Sequence, residues 1–239
     1  FEMSPEEMSS PTLGMQMGQA AMRADGTPLN SELSPETIKL LDAWTTENAA
    51  LLQAMGLTPQ VLQMFEPWFV GLTISITEMT KQGLDPKLGL DANLAAQAAK
   101  AGKPATGLET GVQQIAFLDG MDKDEQLQFL NEALSQSKES EAETAKLHHA
   151  WRAGNAKVLW DDMAVEMKKD YPRLYQRINV ARNDAWVPKI EKRLTAAGTD
   201  DALVVVGALH LLGPDGVVEK LRAKGYTVER VCSACRTTK

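Results

Sequence analysis

The chain has 239 residues, of which 44% are hydrophobic and 24% are charged, and its formal net charge is −7. This composition is that of an ordinary globular protein, and it excludes a disordered, fibrous or collagenous chain. The acidic balance argues against nucleic acid as a partner, because duplex binding depends on clustered Lys and Arg. No run of about eighteen apolar residues occurs, so the sequence predicts no transmembrane segment.

The chain opens on Phe1-Glu2-Met3, which has the pattern of a strand end and lacks an initiator methionine. We therefore expect the chain to be a mature or trimmed fragment of a longer protein. Any targeting segment is expected to belong to the missing part.

The middle of the chain is predicted to be mostly helical. Ser34-Pro35-Glu36 supplies an N-cap, a proline at the first helical position and an early acidic residue, and apolar residues then recur near helical spacing as far as Gly56. Thr58-Pro59 begins another helix, which Pro67 limits before an apolar run over residues 68–79. We expect these apolar stripes to pack in the core.

Residues 122–167 are predicted to form one or two further helices, interrupted at Gly154-Asn155. Their buried seam is predicted to contain Leu127, Leu130 and Leu134. His148 and His149 lie in this stretch, but adjacent residues point to different sides of a helix, so the two cannot form an i, i+4 metal pair. We interpret them as histidines that are either solvated or hydrogen-bonded to neighbouring groups of the protein.

The chain has two cysteines, Cys232 and Cys235, in a single CxxC motif near its end. Such a motif is compatible with a redox pair, half of a zinc site or a short-loop disulfide. A second CxxC for zinc is absent from the sequence, and a thioredoxin-type motif belongs after an early strand. We therefore expect a disulfide or two idle thiols, and a disulfide would suit an oxidising compartment.

Four segments are candidate strands: residues 1–3, 104–108, 203–208 and 226–231. The run Leu203-Val204-Val205-Val206 has the composition of a strand buried on both faces. A turn and a short helix between Gly213 and Gly225 would return the chain to the last strand, as in a parallel βαβ unit. The predicted fold class is α/β, with a small, mostly parallel sheet, a large helical insertion over residues 32–200 and helices dominating overall.

His210 follows the third of these strands, and Gly207 allows the backbone to turn before it. Open α/β sheets place ligands beyond the carboxyl ends of their strands, which favours a functional role for His210. The alternative is that His210 only caps the strand by bonding to nearby backbone. Taken by itself, the GxxH motif favours this alternative.

Five blocks of sequence occur in a fixed order over essentially the whole chain. They are Gly89-Leu90-Asp91, then Gly102-Lys103-Pro104-Ala105-Thr106-Gly107-Leu108-Glu109-Thr110 with Gln114, then Ala150-Trp151-Arg152-Ala153-Gly154-Asn155, then Ala181-Arg182-Asn183-Asp184-Ala185-Trp186, and then the segment 207–216, completed by Tyr226-Thr227-Val228. In this order the blocks resemble the TraB/GumN family. That family is related to the Tiki proteases and to the ChaN-like and erythromycin-esterase-like (EreA-like) folds.

The resemblance implies a single domain over residues 1–239, with an α/β core that carries the helical insertion. It also implies a site built around two GxxH motifs and acidic residues, as in the divalent-metal-dependent peptidases of the Tiki branch. The family's first GxxH belongs to an N-terminal strand that would precede Phe1, so only the second motif, ending in His210, is present. Phe1-Glu2-Met3 matches the next strand of the family pattern, whose glutamate belongs to the site.

Glu2, Glu109 and His210 are the candidate metal ligands. Each lies at or just past the carboxyl end of a predicted strand, and parallel strands bring these ends together. A Mn, Co or Zn ion held by imidazole and carboxylates, with one position open, would polarise a carbonyl and activate water. Glu109 also fits a plain acidic residue at a helix N-terminus, an alternative that the residues alone leave open and the resemblance disfavours.

Arg182 joins Glu109 and His210 as a candidate catalytic residue. An arginine facing the site would hold a substrate carboxylate or stabilise a developing oxyanion through paired N–H donors. The alternative is an ordinary salt bridge to a nearby acid. Asn183 follows Arg182 in the same block.

Two functions from different classes follow from the sequence. The first is a divalent-metal-dependent hydrolase, a peptidase acting on a peptide or protein substrate in the periplasm or cell envelope. The second is a non-catalytic protein of the same fold that binds haem or another ligand, or that interacts with a partner in surface-polysaccharide or pheromone biology. The sequence contains no Cys-His haem motif in support of the second.

Overall fold

The computed structural model describes residues 1–138, 141–196 and 201–232. The chain divides into two compact units. The first contains Phe1–Pro5, Ala95–Thr110 and the described part of Ser140–Lys239, and the second contains Glu6–Leu94 with the described part of Gly111–Glu139. A single domain over residues 1–239 with an insertion over 32–200 stays a prediction.

Helices dominate the described residues. The α-helices are α1 (Pro5–Met8), α2 (Pro11–Ala20), α3 (Pro35–Glu47), α4 (Ala49–Ala54), α5 (Pro59–Leu62), α6 (Pro67–Lys81), α7 (Leu90–Lys100), α8 (Gly111–Asp119), α9 (Lys123–Gln136), α10 (Glu141–Arg152), α11 (Ala156–Trp160), α12 (Glu166–Asp170), α13 (Pro172–Tyr175), α14 (Ala181–Leu194) and α15 (Val217–Ala223). Short 3-10 turns lie at Leu29–Ser31, Pro86–Leu88 and Ala208–Leu211, and π-helical turns lie at Asp161–Val165 and Gln176–Val180.

The predicted α/β fold with a parallel sheet is wrong. Within residues 1–138, 141–196 and 201–232 no strand is formed, and the predicted strands at 1–3, 104–108, 203–208 and 226–231 contain no sheet pairing. Leu108 N donates to Phe1 O and Glu109 N donates to Glu2 O, each at 2.8 Å. These bonds join two extended segments but do not extend into a ladder.

The apolar run at residues 203–206 shows why the strand prediction fails. Leu203 is 74% exposed and Val204 is 38% exposed, so the run is not buried on both faces. Val206 packs against a cluster centred on Trp186 of α14. A helix therefore covers the buried end of the segment, and a run of β-branched residues does not specify which kind of element covers it.

The predicted helix starts are confirmed in the second unit. The side chain of Ser34 accepts a hydrogen bond from Thr37 N at the start of α3, and that of Thr58 accepts one from Val61 N at the start of α5. The helix expected to continue to Gly56 is divided at Asn48, where α3 ends and α4 begins.

Most of the apolar stripe residues of the second unit form its core, as expected, but Leu51, Met55, Ile76 and Met79 are exposed. Leu130 and Leu134 of α9 are buried, and Leu127 packs against them. The cluster also contains Leu29, Leu33, Leu41, Trp44, Leu52, Leu62, Val70, Ile74 and Ala133.

The first unit is organised around α14. Trp186, Val187 and Ile190 of this helix pack with Val217 of α15, and Leu108 lies against the same cluster. Arg182 and Trp186 are four residues apart, so they share one face of α14. The helix therefore presents a buried aromatic ring and a guanidinium side by side.

Gly213 has a structural requirement for glycine in this unit. Its φ is +69°, and an added Cβ would overlap the ring of Trp160. Both the left-handed backbone and the close approach of the indole exclude a side chain here. The loop that follows His210 is thus held against α11.

Three further predictions concern the surface and the end of the chain. No helix in the part of the chain described is both long and apolar enough to cross a bilayer. His148 and His149 are exposed on α10, as interpreted from the sequence. Cys235 lies outside the described residues, so the predicted pairing of the CxxC cysteines is not described.

Candidate functional site

Arg182 lies at the centre of a polar cluster in the first unit. Its Nη2 donates to Oε2 of Glu2 and to Oε1 of Glu109, each at 2.6 Å. Its Nε donates to both oxygens of Glu109 at 3.1 and 3.2 Å, and its Nη1 donates to Ile178 O at 3.3 Å. Nη1 also lies 3.2 Å from Nε2 of His210. These contacts account for all the N–H donors of the guanidinium.

Glu109 is the buried carboxylate of the cluster, with a side chain that is 3% exposed. Besides Arg182 it accepts a hydrogen bond at 2.9 Å from the indole Nε1 of Trp186. The Arg182 guanidinium also lies over the Trp186 ring, 4.7 Å from its centroid. Glu109 is therefore a partner of α14 side chains, and the alternative of a plain helix-start acid does not describe its contacts.

Glu2 is the most exposed carboxylate of the cluster, with a side chain that is 27% exposed. Its Oε1 accepts a hydrogen bond from Gly207 N at 2.8 Å, and its Oε2 faces Arg182. The Phe1–Ser4 backbone passes so close to Gly107 that an added Cβ there would lie 2.8 Å from Ser4 N. Glycine at position 107 thus allows Glu2 to lie beside Glu109.

His210 lies in the 3-10 turn Ala208–Leu211 and not at the end of a sheet strand, which corrects the predicted position. Its ring contacts side chains, with Nδ1 lying 2.7 Å from Asn183 Oδ1 and Nε2 lying 3.2 Å from Arg182 Nη1. The imidazole also lies against Trp186, with ring centroids 4.5 Å apart. The alternative in which the ring only caps backbone therefore does not describe its contacts.

The electrostatics of the cluster follow from burial and from its charged groups. Burial lowers the pKa of His210 to about 4, the Arg182 charge acts in the same direction, and the carboxylates of Glu2 and Glu109 oppose it. Burial also disfavours the Arg182 charge, but the hydrogen bonds and charges of Glu109 and Glu2 outweigh this and raise its pKa above the ordinary value. At neutral pH the cluster thus contains an uncharged imidazole and a permanent guanidinium.

Sequence reasoning missed two residues of this site. Trp186 lies in one of the five ordered blocks but has no predicted role, and no motif in the sequence indicates Asn179. Both are buried and both bond to polar groups of the cluster. The available signal was spacing, because Asn179, Asn183 and Trp186 recur at three and four residues along one helical run and therefore share a face.

The donor atoms of the cluster bear on whether it can hold the divalent ion that the resemblance implies. Two carboxylates and an imidazole are suitable ligands for a divalent ion, but Arg182 directs N–H donors at all three candidate ligands. In the described part of the chain, no group of three or more His, Cys, Asp or Glu side chains is arranged to hold an ion. As arranged, these residues do not fit a metal ion, since a cationic side chain occupies the centre of the set.

The arrangement suits polar chemistry at a carbonyl group. A guanidinium stabilises negative charge that develops on oxygen, and an adjacent carboxylate accepts or returns a proton. Glu2 is the side chain of the cluster most accessible to water, whereas Glu109 is enclosed by Arg182 and Trp186. The cluster thus has an accessible side at Glu2 and a buried side at Glu109.

Comparison with known proteins gives relatives but no solved structure. Over 170 residues the chain is 28% identical to YbaP of Escherichia coli (strain K12) and to YbaP of Shigella flexneri, both described as uncharacterized proteins. The aligned region covers 71% of this chain and 61% of each relative, so the chain spans less than two thirds of their length. No solved structure matches the chain significantly.

A family model matches the chain over residues 1–230, which include all the residues of the cluster. The match covers nearly the whole chain and confirms the resemblance drawn from the ordered blocks. The chain therefore belongs to the TraB/PrgY/gumN family.

Proposed function

We propose that this chain carries a hydrolytic centre that cleaves an acyl bond, with a peptide bond as the substrate class. The observation that supports it is the pair formed by Glu2 and Arg182, in which a partly exposed carboxylate lies 2.6 Å from a guanidinium. The pair places a proton acceptor beside a fixed positive charge. The peptide class rests on the resemblance to the Tiki branch.

The proposed reaction uses water as the nucleophile. The water oxygen bonds to the carbonyl carbon while a water proton passes to the Glu2 carboxylate, and the carbonyl oxygen takes up the negative charge beside Arg182. The C–N bond then breaks, and the leaving amine takes the proton from Glu2. Glu109 and His210 act through Arg182, because their contacts fix the guanidinium in place.

The divalent ion that the resemblance implies stays a prediction and supplies no step of this proposal. The reason is the position of the Arg182 guanidinium, which meets Glu2, Glu109 and His210 at once. The periplasmic or cell-envelope location likewise stays a prediction.

The proposal is tested by release of fluorescein from labelled casein at pH 7.5. The chain should hydrolyse casein, and Glu2→Gln should lower the rate about 100-fold or more, because it removes the proton acceptor and keeps the size of the side chain. Glu32→Gln is the matched control, since Glu32 pairs with Arg23 at 3.0 Å in the second unit. That variant should keep the wild-type rate.

Two outcomes overturn the proposal in different ways. If the wild type hydrolyses casein no faster than the Glu2→Gln variant does, the chain has no hydrolytic centre at this cluster. A rate that disappears in EDTA and returns with Mn²⁺, Co²⁺ or Zn²⁺ removes the metal-independent centre and establishes the metal prediction instead. A rate that is unchanged in EDTA supports a centre that acts without a metal ion.

A further inference from the structure

A directional chain of hydrogen bonds leads from backbone carbonyls to the His210 ring. Asn179 Nδ2 donates to Leu209 O at 3.4 Å, and Asn183 Nδ2 donates to Asn179 Oδ1 at 2.7 Å. Asn183 Nδ2 also donates to Asp215 O at 2.8 Å. Asn183 Oδ1 then lies 2.7 Å from His210 Nδ1. This series of hydrogen bonds therefore ends at the imidazole. Asn183, which is 0% exposed, is the last residue of the series before the ring.

The carbonyls fix which way the Asn183 amide faces. Leu209 O and Asp215 O can only accept, so the groups that meet them must be N–H donors. The Nδ2 of Asn179 is thereby committed to Leu209, which leaves its Oδ1 to accept from Asn183. With both donors of Asn183 committed, its Oδ1 is the atom that faces His210, and the hydrogen between them belongs to Nδ1.

The contacts on the opposite side of the ring agree with this tautomer. Arg182 Nη1 faces Nε2 of His210 at 3.2 Å, and a guanidinium has donors but no acceptor. A proton on Nε2 would point at these donors. The lone pair of Nε2 is the partner that suits these donors, which agrees with the proton that Asn183 holds on Nδ1.

We infer that Asn183 is a positioning residue that sets the tautomer of His210, holding the proton on Nδ1 so that the Nε2 lone pair accepts from Arg182. Neutral histidine in water prefers the proton on Nε2, so the observed contacts select the less common form. The inference deepens the proposed function and rests on it for its catalytic meaning. In the other tautomer, Nε2 of His210 would carry a proton and would repel the N–H donors of Arg182 instead of accepting from them.

A second reading gives Asn183 a purely structural role as a bridge between α14 and the loop at Asp215. The two roles differ in their effect on the proton of His210 Nδ1, because a structural bridge does not require that proton to lie on a particular ring nitrogen. Nuclear magnetic resonance of ¹⁵N-labelled histidine measures that proton directly. The chain has three histidines, so substituting two of them isolates the third.

The experiment uses the full chain carrying His148→Gln and His149→Gln, with ¹⁵N-histidine, at pH 7.5. Both substituted residues are exposed on α10 and have no part in the cluster. The expected spectrum of His210 has a protonated Nδ1 and an unprotonated Nε2. A protonated Nε2 in this chain overturns the inference, whatever the hydrolysis assay shows.

Three substitutions in this background separate positioning from structural support. Asn183→Leu removes the acceptor and should abolish the exclusive Nδ1–H form, with hydrolysis reduced about 10- to 100-fold. Asn183→Asp keeps an acceptor and should keep Nδ1 protonated. Asn48→Leu is the matched control, because Asn48 is also buried and donates to the backbone, at Trp44 O in the second unit. It should leave the His210 spectrum unchanged.

These outcomes remain decisive if Asn183→Leu fails to fold. The unsubstituted Asn183 and its Asp variant still report the Nδ1 proton, and an unprotonated Nδ1 in either one contradicts the inference. A folded Asn183→Leu variant that keeps the exclusive Nδ1–H form also contradicts it, since Arg182 alone would then set the tautomer. If the tautomer is as expected but casein is not cleaved, the proposed function fails and the positioning role stands.

Discussion

The indole Nε1 of Trp186 donates a 2.9 Å hydrogen bond to Oε2 of Glu109, and both side chains are buried. A buried carboxylate is costly to a fold unless its oxygens are paired. Trp186 therefore combines two roles, since it anchors the apolar cluster between α14 and α15 and satisfies a charged group of the site. The apolar core of the first unit and its polar centre share this one side chain.

Replacing Trp186 by Phe should destabilise the chain by about 2–4 kcal/mol. The change removes a hydrogen bond to a charged, buried acceptor, which contributes about 1.5–3 kcal/mol, and it also leaves a small void. The measurement is the free energy of unfolding in urea. Trp44→Phe is the matched control, because Trp44 Nε1 donates to Glu78 at 2.7 Å and Glu78 is 16% exposed. An equal loss of unfolding free energy in the two variants would contradict the larger cost that we expect from leaving the buried Glu109 carboxylate without this hydrogen bond.

Replacing Arg182 by Met should leave Glu2 and Glu109 without their cation. Breaking such a buried pair costs about 3–5 kcal/mol, so the unfolding midpoint should fall markedly. The vacated cluster should then accept a divalent ion, and 1 mM Mn²⁺, a concentration on the order of 100 times a ~10 µM Kd, should stabilise the variant by about 2.7 kcal/mol and not the wild type.

The control for this prediction is Arg193→Met on the same helix. Arg193 is exposed and contacts only the hydroxyl of Thr106 among the contacts described for it, at 3.4 Å. This variant should have the stability of the wild type and no response to Mn²⁺. Stabilisation of the wild type by Mn²⁺ would show that Arg182 does not prevent an ion from binding at the cluster.

The stability of the chain should depend on pH through His210. Burial lowers the pKa of this imidazole to about 4 in the folded chain, against 6.5 for an unperturbed histidine. Between these values the unfolded chain binds a proton that the folded chain does not, so stability falls as the pH falls from about 6.5 to about 4. The full pKa shift of His210 corresponds to about 3 kcal/mol in the free energy of unfolding.

This contribution is measured as the difference in unfolding free energy between the wild type and His210→Asn, from pH 7.5 to pH 4. The carboxylates titrate in both chains, so the difference isolates the histidine. The advantage of the wild type should shrink as the pH falls. An advantage that grows toward low pH would mean that the folded chain holds a charged imidazole.

Replacing Gly107 by Ala should displace Glu2 without touching its side chain. The added Cβ would lie 2.5 Å from Glu109 O and 2.8 Å from Ser4 N, so a backbone segment must shift. We expect a loss of about 1–3 kcal/mol in stability and a fall in casein hydrolysis similar to that of Glu2→Gln. Gly18→Ala in α2 is the control, because a Cβ there meets no atom within 4 Å. An active Gly107→Ala chain would contradict the requirement for this close approach.

Local signals predicted the helices well, and they failed where burial depends on distant residues. The caps at Ser34 and Thr58 are confirmed because the capping bond is made within a few residues of sequence. The predicted strand at residues 203–208 was wrong, because the residues that pack against this segment are distant in sequence. Val206 is covered by the Trp186 cluster, and Leu203 remains exposed.

The sequence by itself determined the family and the helical character of most of the chain, and it predicted the short list of Glu2, Glu109, Arg182 and His210, because these depend on ordered motifs and local periodicity. Only the tertiary structure decided how the four meet. Glu2, Glu109 and His210 converge from three distant segments of chain onto Arg182 of α14, which no spacing along the sequence specifies. The consequence is physical: Arg182, predicted to face a substrate, pairs with both carboxylates and contacts the imidazole, so its guanidinium occupies the place expected for a metal ion.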